Sequence, residues 1–506
     1  MRIFVSGRKI FFLLLMTLGA IQASPLFGQD QVRDLVVKIH ATRRSPDVLK
    51  PWTRLNPVNV SGSGVVIDGR RILTNAHVVQ NASQIYVQPN QSADKLAARV
   101  VAIAQSTDLA ILRLEDESFF NQRGSLPFAE ELPKVKDLVS VYGFPTGGTE
   151  LSVTEGIVSR IEFTTYYHFT MGLRIQVDAA LNPGNSGGPA VSQGRLVGLV
   201  FSYIPSAQNI GYLIPVEEIR LFLDDVADGV YDGKPQMHDL FQTVENNVLR
   251  EQLGLRKGSG GLMVVEPHRG DANYPLKEWD VVTAIGGQAI DSDGKVAVRY
   301  DLRLSALYLV QKHAKSDALD LTVQRGGQPA RITVPVQRRR ELVVPYLLNR
   351  SPRYFIYGPL VFCSATQDYI ERLGNQTELF LSRQGNPLMM KRYDKPAFAG
   401  EEMVIICSPM FPHSITKGYD DPSGSVVSEL DGVPVKNLRH FVEILRDGKG
   451  QRVSFKFARM TNRGWENMVF DRAAMLAATE DILKDFGIRY PYSDDLRSVW
   501  EAGTGR

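Results

Sequence analysis

The chain has 506 residues, 43% hydrophobic and 22% charged, with a formal net charge of +3. That is too long for one core and too apolar for disorder, so about three folded domains are expected. Residues 1–23 carry Arg2, Arg8 and Lys9 and no acid, so without them the chain is formally neutral, and composition gives no reason to expect a nucleic-acid partner.

In residues 1–23 those basic residues flank the apolar run 10–19, and small residues follow at Ala20 and Ala23, the pattern of a secretory signal peptide cut after Ala23 or Ala20. The run is too short to span a bilayer comfortably, no cysteine follows it for lipidation, and no other stretch reaches transmembrane length. The expectation is an exported chain, periplasmic or extracellular, without stable membrane insertion. The two cysteines, Cys363 and Cys407, sit among apolar residues and suit either a bridge or simple burial.

From Ser61 onward short apolar runs alternate with turn residues, at 64–68, 72–75, 99–104, 109–114, 138–142, 156–161, 173–177 and 196–201. No useful helical period appears between Gly62 and Leu213, so an antiparallel barrel or sandwich is expected. Three signals fall inside it. Residues 184–189 read Gly-Asn-Ser-Gly-Gly-Pro, which is either an ordinary turn or a loop that exposes the Ser186 hydroxyl with backbone N–H groups beside it. His77 stands where a strand ends, by default a packing or surface residue, and Asp108 opens a strand, by default a turn former. Together they give the order His, Asp, Ser, one of the chain orders that assemble a hydrolytic triad.

Residues 63–67, 73–79, 107–112, 178–180, 184–189 and 209–215 carry a resemblance to the HtrA/Deg family of PDZ-containing serine proteases. It implies a chymotrypsin-like double β-barrel over residues 30–225, with Ser186 as nucleophile, His77 as general base and Asp108 as its orienter. The oxyanion hole would use the N–H groups of Gly184 and Ser186, Asn185 supplying backbone geometry. No acidic residue lies in 181–183 or 201–208, so a small or medium aliphatic side chain before the cut is expected rather than a basic one. Residues 163–169 form an unusually aromatic loop that, on the resemblance, either senses an activating ligand or packs on a neighbouring subunit.

A helical stretch at 216–226 and a turn-rich linker at 228–234 lead to a second composition. Strands are expected at 262–265, 280–290 and 318–336, and a helix over 299–312 from the spacing of Leu302, Ala306 and Leu309. Residues 279–287 resemble the core strand and turn of a PDZ domain, placed at 240–340, and Leu253, Gly254 and Leu255 stand where its peptide-carboxylate loop would lie. A weaker echo at 430–435, with an amphipathic stretch at 438–445 and a strand at 453–458, suggests a second PDZ-like domain at 345–470, followed by a helical extension at 471–506. Its candidate loop contains Pro359, which has no N–H to donate, so assembly suits it better than peptide binding. The fold class is thus mainly β, a double barrel followed by two PDZ-like α+β domains, similar to the plant-type Deg branch.

No nucleotide-binding G-x-x-x-x-G-K-[ST] run or H-E-x-x-H run is present, and no cofactor or metal is expected. The leading reading is an ATP-independent serine endopeptidase acting on unfolded or damaged exported proteins and peptides. The alternative is a protease-inactive peptide-binding scaffold or holdase chaperone. The resemblance implies a homo-oligomer, a trimer or a multiple of trimers.

Overall fold

Strand periodicity begins before residue 61. Val37, Ile39 and Ala41 are buried while Lys38, His40 and Thr42 between them are half-exposed, which is the period-two signature of a strand with one face on a core. A computed structural model describes residues 29–203, 210–256, 258–269, 273–458 and 467–502; the expected signal peptide and residues 204–208 of the expected specificity loop lie outside the described residues. Strands β1 (Val36–Arg43), β2 (Val58–Ile67), β3 (Arg71–Thr74), β4 (Ala82–Pro89), β5 (Leu96–Ala104) and β6 (Leu109–Leu114) close into a barrel in the order β1-β2-β3-β6-β5-β4. A second barrel closes in the order β10-β11-β12-β9-β8-β7 from β7 (Leu138–Gly143), β8 (Ser152–Thr165), β9 (Met171–Val177), β10 (Pro189–Ser192), β11 (Arg195–Tyr203) and β12 (Gly211–Pro215). Closure leaves neither sheet an open edge.

The third layer is a sheet in the order β13-β14-β15-β19-β20, from β13 (Leu240–Thr243), β14 (Leu262–Glu266), β15 (Val281–Ile285), β19 (Ala318–Arg325) and β20 (Gln328–Pro335). Short β16 (Gln288–Ala289) pairs with β15, and β17 (Lys295–Arg299) pairs with β18 (Leu302–Ser305) as a separate hairpin. The expected helix over 299–312 is therefore only Tyr308–His313. Leu302 and Leu304 are both buried, so their spacing of two makes a strand, and Leu302 belongs to the helical pattern only by coincidence of spacing. Core residues of the second barrel, such as Val177 and Leu213, form one continuous apolar cluster with Leu262, Val282 and Leu321 of this sheet. At roughly 1.5–3 kcal/mol per fully buried side chain, the apolar residues that the two units share contribute to holding them together.

Residues 343–502 build a further unit on two sheets. One joins Tyr354–Tyr357, Leu360–Ser364 and Val404–Ile406, and the other joins Val427–Leu430, Val433–Pro434, Arg452–Phe457 and Asn467–Asp471. Helix Leu438–Asp447 covers them with Leu438, Phe441, Val442 and Leu445. The C-terminal helices Arg472–Asp485 and Asp494–Glu501 add Met475, Leu496 and Val499 to the same core. Gly358 and Pro359 form the tight turn between two paired strands, and the Gly358 N–H donates to Thr479 Oγ1 at 2.7 Å. Of the two readings for the cysteines, the structure has the bridge: Cys363 and Cys407 are disulfide-bonded, with Cα atoms 5.9 Å apart.

One helix ties the second barrel to the sheet that follows it. Val216–Asp225 follows β12 directly and carries Glu218, only 2% exposed. The Glu218 carboxylate receives Lys234 Nζ at 2.6 Å, the Leu173 N–H of β9 at 2.8 Å and Gln311 Nε2 at 3.1 Å. Burial pulls the Lys234 ammonium below its ordinary pKa while the Glu218 charge pushes it back. Glu217 next to it receives Tyr308 Oη and Gln311 Nε2, each at 3.1 Å, and Lys312 Nζ at 3.0 Å.

Replacing Lys234 by Met keeps the volume and strands the Glu218 charge, so urea unfolding should show about 3–5 kcal/mol lost. Conversely, Glu217→Gln, at a carboxylate that is 20% exposed and whose ionic partner Lys312 is 42% exposed, should cost under about 1 kcal/mol. The His168 ring lies against Tyr346 with centroids 4.1 Å apart, and burial pulls its pKa down to about 4 from 6.5. A depressed histidine favours the neutral form in the fold, so its contribution is complete above about 6.5 and disappears as pH falls toward 4. The thermal midpoint should therefore fall between pH 7 and pH 5, and His168→Gln should shrink that fall.

Candidate active site

Strand register brings the first two candidate residues together. β3 pairs with β6 so that Thr74 faces Ala110, which puts Asp108, just before β6, beside the residues that follow β3. There the chain makes the one-turn helix Ala76–Val79, carrying His77. Asp108 adopts φ +57°, a left-handed conformation that aspartate tolerates better than most side-chain-bearing residues. Its carboxylate holds His77 twice, receiving the backbone N–H on Oδ1 at 2.8 Å and the ring through Nδ1 on Oδ2 at 2.6 Å. Because a carboxylate only accepts, Nδ1 carries the proton and Nε2 presents its lone pair outward. Asn75 Nδ2 donates to the Asp108 carbonyl at 3.0 Å and fixes the turn from the other side. Asp108 is 1% exposed; burial lifts its carboxyl pKa, and the contacts from His77 oppose that lift.

The Ser186 loop is shaped by close approach of backbones. Gly184 and Gly187 have φ of +98° and +84°, and a Cβ on Gly187 would stand 2.2 Å from the Ser63 carbonyl oxygen and 2.4 Å from Thr74 Oγ1. A side chain there would drive the loop off the first barrel, away from the β3 end that carries His77. Ser63, on β2, ties the loop in place: its N–H donates to the Ser186 carbonyl, its hydroxyl donates to the Gly184 carbonyl, and the Phe144 N–H donates to that hydroxyl, all at 2.8 Å. The N–H groups of Asn185, Gly187 and Gly188 donate to Asn182, Val200 and Asn185 carbonyls. Those of Gly184 and Ser186 donate to no acceptor among the described residues, which leaves this pair available. The same holds for the His77 ring and the Ser186 hydroxyl, which make no hydrogen bond to each other among the described residues; such contacts characteristically tighten when substrate binds.

The expected peptide-carboxylate loop is arranged differently. The N–H groups of Leu253, Gly254 and Leu255 donate to the carbonyls of Leu249, Glu251 and Arg250, closing the end of helix Asn247–Gln252. They are the cap of that helix and have no donor left for a carboxylate. Gly254 at φ +65° is the left-handed cap residue, which is why a Leu-Gly-Leu here mimics a binding loop in sequence. The aromatic hairpin of 163–169 packs on its own chain, Tyr167 against Phe201, His168 against Tyr346 and Phe169 against Tyr393.

Sequence reading did not single out Ser63 or Asn75, since their roles consist of contacts to residues 33 to 121 positions away. Ser63→Ala leaves the Phe144 N–H and Gly184 carbonyl unpaired in a buried place. It should lower the unfolding free energy by about 1–3 kcal/mol in a urea titration. An unchanged transition midpoint and slope would contradict this account of the loop.

Residues 62–199 match the family described as trypsin-like peptidase domain, and residues 343–495 match the PDZ domain family. The chain is 34% identical over 471 residues to Protease Do-like 2, chloroplastic, of Arabidopsis thaliana, covering 91% of this chain and 75% of that protein. It is 35% identical over 413 residues to the mitochondrial Protease Do-like 4 of the same plant, covering 81% and 76%. An HtrA-type protease solved with a tripeptide shares 24% identity over 62% of this chain and 96% of that one, with a TM-score of 0.49. A double barrel followed by a PDZ domain and one-third identity along most of a Do-like protease lead to one conclusion. The chain belongs to the Do-like (Deg/HtrA) family of PDZ-containing serine proteases, and it is a serine endopeptidase.

Proposed function

We propose that Ser186, His77 and Asp108 carry out the peptide-bond cleavage and that the substrates are unfolded or damaged proteins. The observation that carries the assignment is the double hold of Asp108 on His77, which fixes both the ring plane and its tautomer. In this mechanism Ser186 Oγ attacks the scissile carbonyl carbon as His77 Nε2 takes the hydroxyl proton. The carbonyl oxygen becomes an oxyanion and accepts hydrogen bonds from the free N–H groups of Gly184 and Ser186. Asn185 holds the loop between them through its own N–H to Asn182. The C–N bond then breaks, His77 gives its proton to the leaving amine, and water repeats the sequence in reverse to release the acyl group. Each oxyanion donor is worth about 100- to 1000-fold in rate.

Peptide capture falls in this reading to β13, the edge strand of the first PDZ-like sheet. It pairs only with β14, and Leu240 on it is half exposed, so an extended peptide can add as a further strand. The absence of acid from 181–183 and 201–208 supports cleavage after small or medium aliphatic residues. The leader-like residues 1–23 and the Cys363–Cys407 disulfide support an exported, oxidising address, where the enzyme would act in protein quality control as a homo-oligomer. No helix among the described residues is long and apolar enough to cross a membrane.

A serine-reactive phosphonate should label the purified chain once. Ser186→Ala should lose the label and reduce turnover of unfolded casein by more than about 1000-fold at an unchanged thermal midpoint. Casein turnover that survives in Ser186→Ala would exclude the assignment. Cleavage-site mapping dominated by Lys or Arg before the cut would exclude the aliphatic preference.

A further inference from the structure

A large cleft lies away from Ser186. A cleft of about 1150 Å³ opens between β5 of the first barrel, the linker around Tyr231 and the connector and loops of the C-terminal unit. Its chemistry is mixed in a particular way. Val101, Val230 and Phe398 line it and are 37%, 56% and 45% exposed, so the cleft keeps apolar surface uncovered. Four arginines share the lining, and only Arg338 is neutralised, by Asp225 at 2.8 Å and Asp317 at 2.9 Å.

The remaining three have no carboxylate partner among the described residues. Arg339 is braced on the carbonyls of Tyr231 and Asp232, which orients its guanidinium without cancelling its charge. Arg350 donates to the Leu347 carbonyl. Arg340 lies over the Phe169 ring at 5.1 Å with its Nε buried and without a hydrogen-bond partner. Against them stand three lining glutamates. Glu402 is paired with Arg353 and also receives Ser364, while Glu401, which accepts the Ala397 N–H, and Glu341 keep their charge, so the three unpaired guanidinium groups outnumber the unpaired carboxylates by one. A buried donor left open and charges held on carbonyls favour an anion that arrives from outside.

We propose that this cleft binds an acidic peptide segment, with its carboxylates on Arg339, Arg340 and Arg350 and its aliphatic side chains on Val101, Val230 and Phe398. A small inorganic anion would leave most of the volume and all of the apolar wall unused, whereas a chain alternating carboxylate and aliphatic groups satisfies both. The cleft is distinct from the β13 edge and from Ser186. Its wall includes Ser106, whose hydroxyl is 2.9 Å from Tyr231 Oη and which stands two residues before Asp108.

The test uses the full chain carrying Ser186→Ala and a fluorescein-labelled nonapeptide alternating Glu with Leu or Val. Both ends are blocked, so that no terminal carboxylate takes part. Fluorescence anisotropy at physiological salt should show saturable binding, weakened at least tenfold when the peptide glutamates are replaced by glutamine. Arg340→Gln with Arg350→Gln should weaken it at least tenfold, and so should Val101→Trp, which fills the cleft without changing charge. Val101 is partly exposed, so this variant should keep the parent thermal midpoint. Parent-like affinity in a folded Val101→Trp chain overturns the proposal, as does equal binding of the glutamine peptide or no binding of either. None of these outcomes depends on Ser186 being the nucleophile.

Discussion

The sheet that follows the two barrels meets them at one buried carboxylate. Glu218 sits where water cannot solvate it, so its charge must be met inside the protein, and each group that meets it comes from a different part of the chain. Leu173 belongs to the second barrel, Lys234 to the linker and Gln311 to the helix Tyr308–His313. An apolar contact at the same place would tolerate sliding, because dispersion has little directional preference. Hydrogen bonds to a buried carboxylate do not, and they convert a greasy junction into one with a defined angle.

The same division between undirected and directed contacts separates what could be read in the chain from what could not. Periodic burial is local, so the barrel strands, the helix after Pro215 and the strand at Arg452–Phe457 are legible as patterns. The proposed triad of His77, Asp108 and Ser186 is legible for another reason: the chemistry proposed for each needs a particular residue type, and their order along the chain survives folding. Ser63 shows the opposite case. A serine in a strand is unremarkable until the fold places a glycine carbonyl 121 positions away against its hydroxyl.

The two misreadings have physical causes as well. Leu253, Gly254 and Leu255 satisfy the local requirements of a helix cap and of a carboxylate cradle alike, since both are runs of N–H groups around a left-handed glycine. Only the partners distinguish them, and here the partners belong to the preceding helix. Leu302 fits a helical spacing with Ala306 and Leu309, yet the spacing of two with Leu304 describes its environment better. Where a segment is short, two periods can both be satisfied, and the sheet hairpin decides between them.

The disulfide has a bearing beyond the two strands it joins. Its sulfurs close a ring of chain 44 residues long that contains the helices Gln367–Leu373, Asn375–Arg383 and Pro387–Met390. Those helices hang on the sheet as a lobe knotted off at its neck, with Ile370 and Leu388 as its buried anchors. By loop-closure entropy the knot disfavours the unfolded ensemble by about 4 kcal/mol. The ring also contains strand Val404–Ile406, so the bond fastens both ends of the lobe to neighbouring strands of one sheet.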